Sequence, residues 1–251
     1  TYPGPYEWKA QGIRRYGFHG ISHQFCSRRA AQILEQDLSE LRLVVCHLGN
    51  GASLTAVKNG CSIDTTMGFT PLEGVMMGTR CGSIDPGILM YLLDQGHDLG
   101  YLDRLLNRES GLKGLSGVSH DLREVQTAIA QGNQQAKLAF DVYIHRLKSC
   151  LGSMIMSLEG LDCLVFTAGL GEHSPEVRSR VCQGLTFLGV ELDEEKNGKS
   201  PRDQDIATDA STVRVLIIHT QEDWAIAQEA WRCAPASHGN PKNFAINSSS
   251  L

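Results

Sequence analysis

The stretch Leu43-Val44-Val45-Cys46-His47-Leu48-Gly49-Asn50-Gly51-Ala52-Ser53 constrains the fold more than any other. Its apolar, β-branched start reads as a buried strand, and it ends in a turn with two glycines one residue apart. Ser53-Leu54-Thr55-Ala56-Val57 then alternates polar and apolar, as a second, half-buried strand would. Asn59-Gly60 is a strong hairpin signal, so Cys61-Ser62-Ile63-Asp64 runs back as a third strand. The first turn is therefore a Gly-rich loop between antiparallel strands. Such a loop lets backbone N–H groups approach an anion and can cradle phosphate, although most Gly-x-Gly turns are only turns. No Gly-Lys-Ser/Thr follows, which excludes a Walker loop.

Two further buried strands are predicted, Leu161 to Thr167 and Val213 to Ile218. The first breaks into Ala168-Gly169-Leu170-Gly171-Glu172, after which Ser174-Pro175 opens a helix with serine at the cap and proline at the first position. The second leads into a helix from Glu222 to Trp231. Ser22 is expected to cap a helix running through Asp37, with Phe25, Cys26, Ala30, Ile33 and Leu34 on one side. Other helices are expected at Pro86–Asp94, Tyr101–Arg108, Asp121–Ala130 and Asn133–Leu158. The last of these has Leu138, Val142, Leu147, Leu151 and Ile155 as its apolar face. Between Thr65 and Pro86, four glycines and few regular patterns indicate a long functional loop that holds Arg80 and Asp85. Three strands, helices, then two strand–helix units make an α/β layer architecture with a mixed sheet.

The 251 residues suffice for a sizeable core in one large domain or two small ones. A net charge of −5 offers no basic footprint for nucleic acid. No apolar run reaches membrane-spanning length and no secretory pattern opens the chain. The eight cysteines form no CxxC pair, so neither zinc nor a disulfide framework is suggested, and reduced thiols in a cytoplasmic protein are expected.

Several residues carry a functional reading beside a plainer one. Amides in the turn from Thr167 to Glu172 can face a phosphate or ribose, or merely connect strand to helix. Arg80 can clamp oxygens bidentately, though most arginines lie idle at the surface. His19 and His47 can donate to developing phosphoryl charge, or can be structural. Glu222 can be a Mg²⁺ ligand, or can simply favour its helix N-terminus. Asp121 and Arg123 can be a cap and a helix-face charge, or nucleotide contacts.

Their order is more telling than any one of them. Arg15-Tyr16-Gly17-Phe18-His19-Gly20-Ile21-Ser22-His23, His47-x-Gly49-x-Gly51-x-Ser53-Leu54-x-Ala56, Met77-Gly78-Thr79-Arg80 and Phe166-Thr167-Ala168-Gly169 follow one another in the chain. From about Tyr2 to Trp231 the sequence resembles the C-terminal part of the acetate kinase (acetokinase) family, in the sugar-kinase/Hsc70/actin superfamily. The resemblance implies a ribonuclease-H-like, actin/Hsc70-type ATPase domain with a mixed sheet flanked by helices. It implies that His47, Leu48, Gly49, Asn50 and Gly51 line the ATP phosphates. Asp121, Leu122 and Arg123, with Gly169, Leu170, Gly171, Glu172 and His173, would hold the adenosine end. His19 and Arg80 would stabilise the transition state, and Glu222 would bind Mg²⁺ (or Mn²⁺). His173 stands where the family has Asn, and Gln221 and Asp223 where it has Asn and Glu.

The reaction so implied is in-line phosphoryl transfer between ATP and acetate, giving acetyl phosphate and ADP. Propionate or butyrate kinase of the same family and a non-catalytic nucleotide-binding module are the alternatives. The resemblance also implies an N-terminal domain with a further phosphate loop, a substrate Arg and a catalytic Asp that nothing in this chain matches. On that reading the chain is a fragment. Residues 1–20 would be a connector, 21–221 the nucleotide-binding domain, 222–233 a helix packing on the other half, and 234–251 a disordered tail. The complete protein would be a cytoplasmic homodimer with neither nucleic-acid nor membrane partners.

Overall fold

The computed structural model describes residues 1–199 and 202–233. The tail expected to be disordered, 234–251, lies outside the described residues. In chain order the elements are α1 (Glu7–Ala10), α2 (Gly20–Leu34), β1 (Arg42–Leu48), β2 (Ala52–Lys58), β3 (Cys61–Thr65), α3 (Pro86–Asp94) and α4 (Leu99–Arg108). There follow α5 (Gly111–Ser116), α6 (Leu122–Ala130), α7 (Gln134–Leu158), β4 (Cys163–Thr167), α8 (Ala168–His173) and α9 (Pro175–Cys182). The described chain closes with α10 (Glu194–Lys199), β5 (Gln204–Asp205), β6 (Arg214–Ile217) and α11 (Glu222–Cys233).

The strands form one six-stranded sheet in the order β3-β2-β1-β4-β6-β5. β1 pairs antiparallel with β2 and parallel with β4, β4 pairs parallel with β6, and β5 is antiparallel to β6. The expected hairpin is present: Asn59 and Gly60 both lie in the left-handed region, at φ 54° and 72°. Two such residues give the two-residue turn whose twist matches its strands. The mixed α/β class is as expected.

Why β1, β4 and β6 read as continuous apolar runs follows from burial on both faces. Val44, Cys46, Leu164, Phe166, Val215 and Ile217 join one core, into which α7 sends Phe140, Ile144, Leu147 and Leu151. Their neighbours Leu43, Val45, Cys163, Val165, Leu216 and Ile218 join a second core with Cys26 and Ala30 of α2. Alternate side chains of one strand therefore enter different cores. The three parallel strands end on the same side of the sheet. Their C-terminal loops are the Gly49–Gly51 turn, α8, and the segment leading to Glu222, and in open α/β sheets ligands bind at such strand ends.

Some expectations are corrected. Leu138 is exposed, and Phe140, Tyr143 and Ile144 pack inward in its stead. α2 ends at Leu34 because Glu35 turns left-handed at φ 52°, and Asp37 instead caps the following 3₁₀ turn by accepting from Ser39 N. Ser22 does not cap α2; His19 occupies that position, and Ser22 turns into the sheet. Residues 66–85 hold no regular element, as expected, yet Met67, Val75, Met76 and Met77 are buried. α11 packs along α2, leaving Trp224 and Trp231 half-exposed. All eight cysteines are free, and no helix among the described residues is long and apolar enough to cross a membrane.

Candidate functional site

Two clusters flank the Gly49–Gly51 turn. The first lies where β1 and β2 meet the start of α2. His47 is the penultimate residue of β1 and sits opposite Ser53 of β2. Across from them α2 begins with His19 in the left-handed region, at φ 59°, a conformation that an ordinary residue holds only when its surroundings impose it. The His19 and His47 rings stack, with centroids 4.1 Å apart and planes inclined by 15°. His19 Nδ1 lies 2.9 Å from Ser53 Oγ, and His23 Nε2, one helical turn on, lies 2.7 Å from the same oxygen. Ser22 Oγ is 2.8 Å from His47 Nδ1 and 3.0 Å from Thr220 Oγ1, which draws the entrance of α11 toward β1.

Burial holds these imidazoles neutral. His23 is pushed down to about 3 and His47 to about 4, first by desolvation and then by the neighbouring rings. His19 is also lowered, by desolvation and then by the Arg80 cation.

Arg80 comes from the long Gly-rich loop. Its Nη1 donates to Pro71 O at 3.2 Å and rests 3.6 Å from Met77 Sδ. Among the described residues no carboxylate pairs with it. The loop itself is fastened by Arg15, which donates to Thr65 O, Thr66 O and Glu73 Oε1, while Tyr2 donates to Glu73 Oε2. A Cβ placed on Gly51 would lie 3.3 Å from Arg80 Nη1 and 3.5 Å from His19 Nε2. The two donors thus converge on the glycine where β2 begins.

The second cluster walls a cavity of about 440 Å³. Gly49 and Asn50 form one side, Asp121, Leu122, Arg123 and Gln126 another, and Gly169, Leu170, His173 and Pro175 a third. Asp121 caps α6 by accepting from Arg123 N and also pairs with the Arg123 guanidinium, which brings its carboxyl down to about 2. Of the residues expected here, Gly171 and Glu172 do not line the cavity. Glu172 is buried, accepts from Ala168 N at 2.9 Å, and pairs with His219 at 2.6 Å. It thereby holds Ala168 at φ 63° and ties α8 to the segment before α11. Behind it, fully buried Arg178 donates to Gly171 O and Glu172 O, fixing the last turn of α8. Leu48 is wholly buried beneath the turn.

Glu222 opens α11, two residues after Thr220. No group of three His, Cys, Asp or Glu residues among those described could hold a metal by itself. A lone carboxylate suits a hard cation that arrives with most of its ligands already supplied by phosphate and water.

Sequence reasoning left His23, Ser53, Thr220 and Arg178 without roles, and gave Ser22 only that of a helix cap. A signal for His23 was available: it lies four residues after His19, so both share one helix face. Arg178 had none, since only the packed structure shows what an arginine in a helix meets.

The family model described as the acetokinase family matches residues 1–228. The acetate kinase of Nostoc punctiforme is 66% identical over 232 residues, covering 92% of this chain and 57% of that protein. The acetate kinase of Acaryochloris marina is 68% identical over 230 residues, with the same two coverages. The chain thus spans a little over half the length of these relatives. Among solved structures, the acetate kinase of Porphyromonas gingivalis superposes with a TM-score of 0.88 at 41% identity, over 92% of this chain and 59% of that one. A propionate kinase from Francisella tularensis gives 0.85 at 42% identity, over 91% and 58%. The chain belongs to the acetokinase family.

Proposed function

We propose that this chain provides the nucleotide-binding and phosphoryl-stabilising part of an acetate kinase, which moves the terminal phosphoryl group between ATP and acetate. The observation that carries this reading is the convergence of Arg80 Nη1 and His19 Nε2 on Gly51, with no carboxylate neutralising Arg80 among the described residues. Phosphoryl transfer asks little covalent chemistry of a protein. It asks for fixed donors where charge spreads over the equatorial oxygens.

In this reading His47 to Gly51 border the phosphates and the 440 Å³ cavity takes the adenosine. His173, exposed at the end of α8, reaches that end of the ligand in place of the family's Asn. Arg80 and His19 meet the transferring group. Glu222 holds Mg²⁺ or Mn²⁺ borne by the nucleotide, and the cation, when bound, offsets phosphate charge. His47 remains neutral beneath His19 and presents no second cation to compete with Arg80. A cytoplasmic homodimer without nucleic-acid or membrane partners is part of the same proposal.

A second reading concerns the acyl group. The Francisella propionate kinase fits nearly as well as the Porphyromonas acetate kinase, at a TM-score of 0.85 against 0.88, so propionate is the rival acceptor. The test uses a protein of the relatives' full length that contains this chain. Acyl phosphate trapped as hydroxamate is measured for C2 to C4 acids, beside calorimetric ADP binding. Highest kcat/KM with acetate supports the proposal, preference for propionate transfers it to the rival, and ADP binding without any acyl phosphate leaves a non-catalytic module.

A further inference from the structure

Three histidine rings and one serine are wired together at the end of β1 and β2, and the connections have a direction. Ser53 Oγ is fully buried and contacts two ring nitrogens, His19 Nδ1 at 2.9 Å and His23 Nε2 at 2.7 Å. A hydroxyl has one proton to give, so it donates to one of these rings. The opposite nitrogen of His23, Nδ1, is buried and has no hydrogen-bond partner among the described residues.

Three proton arrangements are possible. If Ser53 donates to His23 Nε2, neutral His23 must carry its proton on Nδ1, as a buried donor with nothing to receive it. If Ser53 accepts from both rings, its own hydroxyl proton is stranded, because the two histidines are its only side-chain partners among the described residues. Buried donors without acceptors are the rarest defect in folded proteins. In the third arrangement His23 Nε2–H donates to Ser53, and Ser53 O–H donates to His19 Nδ1. Only a bare ring lone pair at His23 Nδ1 then goes unmet. Burial, which keeps His23 neutral at any pH above about 3, agrees with this choice.

We propose that Ser53 and His23 are positioning residues that fix the tautomer of His19, so that its proton sits on Nε2 and faces Gly51 beside Arg80 Nη1. The consequence is chemical. His19 then serves as a neutral hydrogen-bond donor toward the same point as the guanidinium, and its acceptor nitrogen is turned away into the protein. A ring free to exchange tautomers would spend part of its time aiming a lone pair at phosphate oxygens, which repels. The left-handed backbone at His19, at φ 59°, and its stack on His47 hold the ring plane while Ser53 sets the proton. The value of this device for turnover rests on the role given to His19 above; the tautomer itself does not.

The test separates the two. The full chain, labelled with ¹⁵N-histidine, is examined at neutral pH by long-range ¹H–¹⁵N correlation, and the His19 signals are assigned by their loss in His19→Gln. The expected pattern is a pyridine-type Nδ1 and a pyrrole-type Nε2 at His19, with His23 also protonated on Nε2. A proton on His19 Nδ1, alone or together with Nε2, overturns the proposal without any variant having to fold. Ser53→Ala should shift His19 toward a tautomer mixture. His23→Gln, whose amide can still donate to Ser53, should preserve the pattern. An unchanged His19 tautomer in folded Ser53→Ala also overturns it.

In a protein of the relatives' full length, Ser53→Ala should lower kcat roughly 10–100-fold, by analogy with the loss of a partner that orients a metal-bound imidazole. The KM for ATP should change less than about threefold, and a rise in KM with kcat intact counts against the proposal. The assigned tautomer found together with a His19→Gln enzyme of undiminished kcat would support the relay and overturn the functional reading of His19.

Discussion

The two ends of the cleft are built in opposite ways. At the Gly51 end, side chains interlock across elements: a strand histidine opposite a strand serine, the cap histidine of α2 and a helix histidine one turn on, and half-buried Arg80 reaching among them from the long loop. At the cavity end, the walls are the first turns of α6 and the short α8, and the cation there, Arg123, has 85% of its side chain in solvent. Strain follows the same division. His19 is held left-handed by the cluster it belongs to, whereas Ala168 is held so from behind, by Glu172. Where charge must be met in one geometry, the molecule spends rigid elements and buried hydrogen bonds. Where a flat ligand need only be accommodated, helix ends and an open wall suffice.

The contrast can be broken most sharply at Arg80. In a full-length protein, Arg80→Ala should lower kcat by roughly 10²–10³-fold, about 3–4 kcal/mol of transition-state stabilisation, because a fixed donor to developing charge is lost. ATP affinity measured by calorimetry should change only a few-fold. Unchanged kcat with raised KM would show Arg80 to be a ground-state contact and would make the two ends alike.

Acid should find the rigid end first. His23 and His47 titrate near 3 and 4 in the folded chain and near 6.5 when unfolded. Below about pH 6.5 the unfolded state takes up protons that the folded state refuses. Their contribution is therefore whole above that pH and fades as the pH falls toward 4, by up to about 1.4 kcal/mol per pH unit for each group. Thermal unfolding of His23→Gln should show a shallower acid slope than the parent, and an identical slope would remove His23 from the account.

Gly51→Val places branched carbon within reach of both Arg80 Nη1 and His19 Nε2. Nucleotide affinity should fall about tenfold, roughly 1.4 kcal/mol, as followed by ADP titration of the folded variant. Unaltered affinity would move the phosphates away from this turn.

The smallest effects are expected at the open end. Asp121→Ala removes the α6 cap and should cost about 1 kcal/mol of stability in denaturant unfolding. Arg123→Ala loses an exposed ion pair and should cost less than about 0.5 kcal/mol. Should Arg123→Ala reduce ADP affinity more than Gly51→Val does, the division of labour between the two ends is reversed.

Local chemistry was legible in the sequence wherever one residue's own options decided the outcome. Asn59-Gly60 admits little but a tight hairpin, Ser174-Pro175 opens a helix, and the apolar runs at Leu43, Leu164 and Val215 require cover on both faces. The roles of His19, His47, Gly51 and Arg80 could be named only through the family resemblance that the order of the motifs carries. What those residues do to one another was not legible. Ser22 had the chemistry of a helix cap, and only the approach of β1 turned its hydroxyl to His47. Glu172 looked like a wall of the nucleotide site until α8 folded back and gave its carboxylate Ala168 N and His219 as partners. Leu138 matched the helical period and is exposed, whereas Leu147, Leu151 and Ile155 of the same expected face are buried, and Phe140, Tyr143 and Ile144 widen that face. Periodicity, turn chemistry and capping act between neighbours in the chain, so the sequence by itself determines them. The proton order through His23, Ser53 and His19 joins α2 to β2 across 30 residues. It exists only once the strands have paired, because hydrogen bonds of that kind are chosen by which buried groups are left with no other partner.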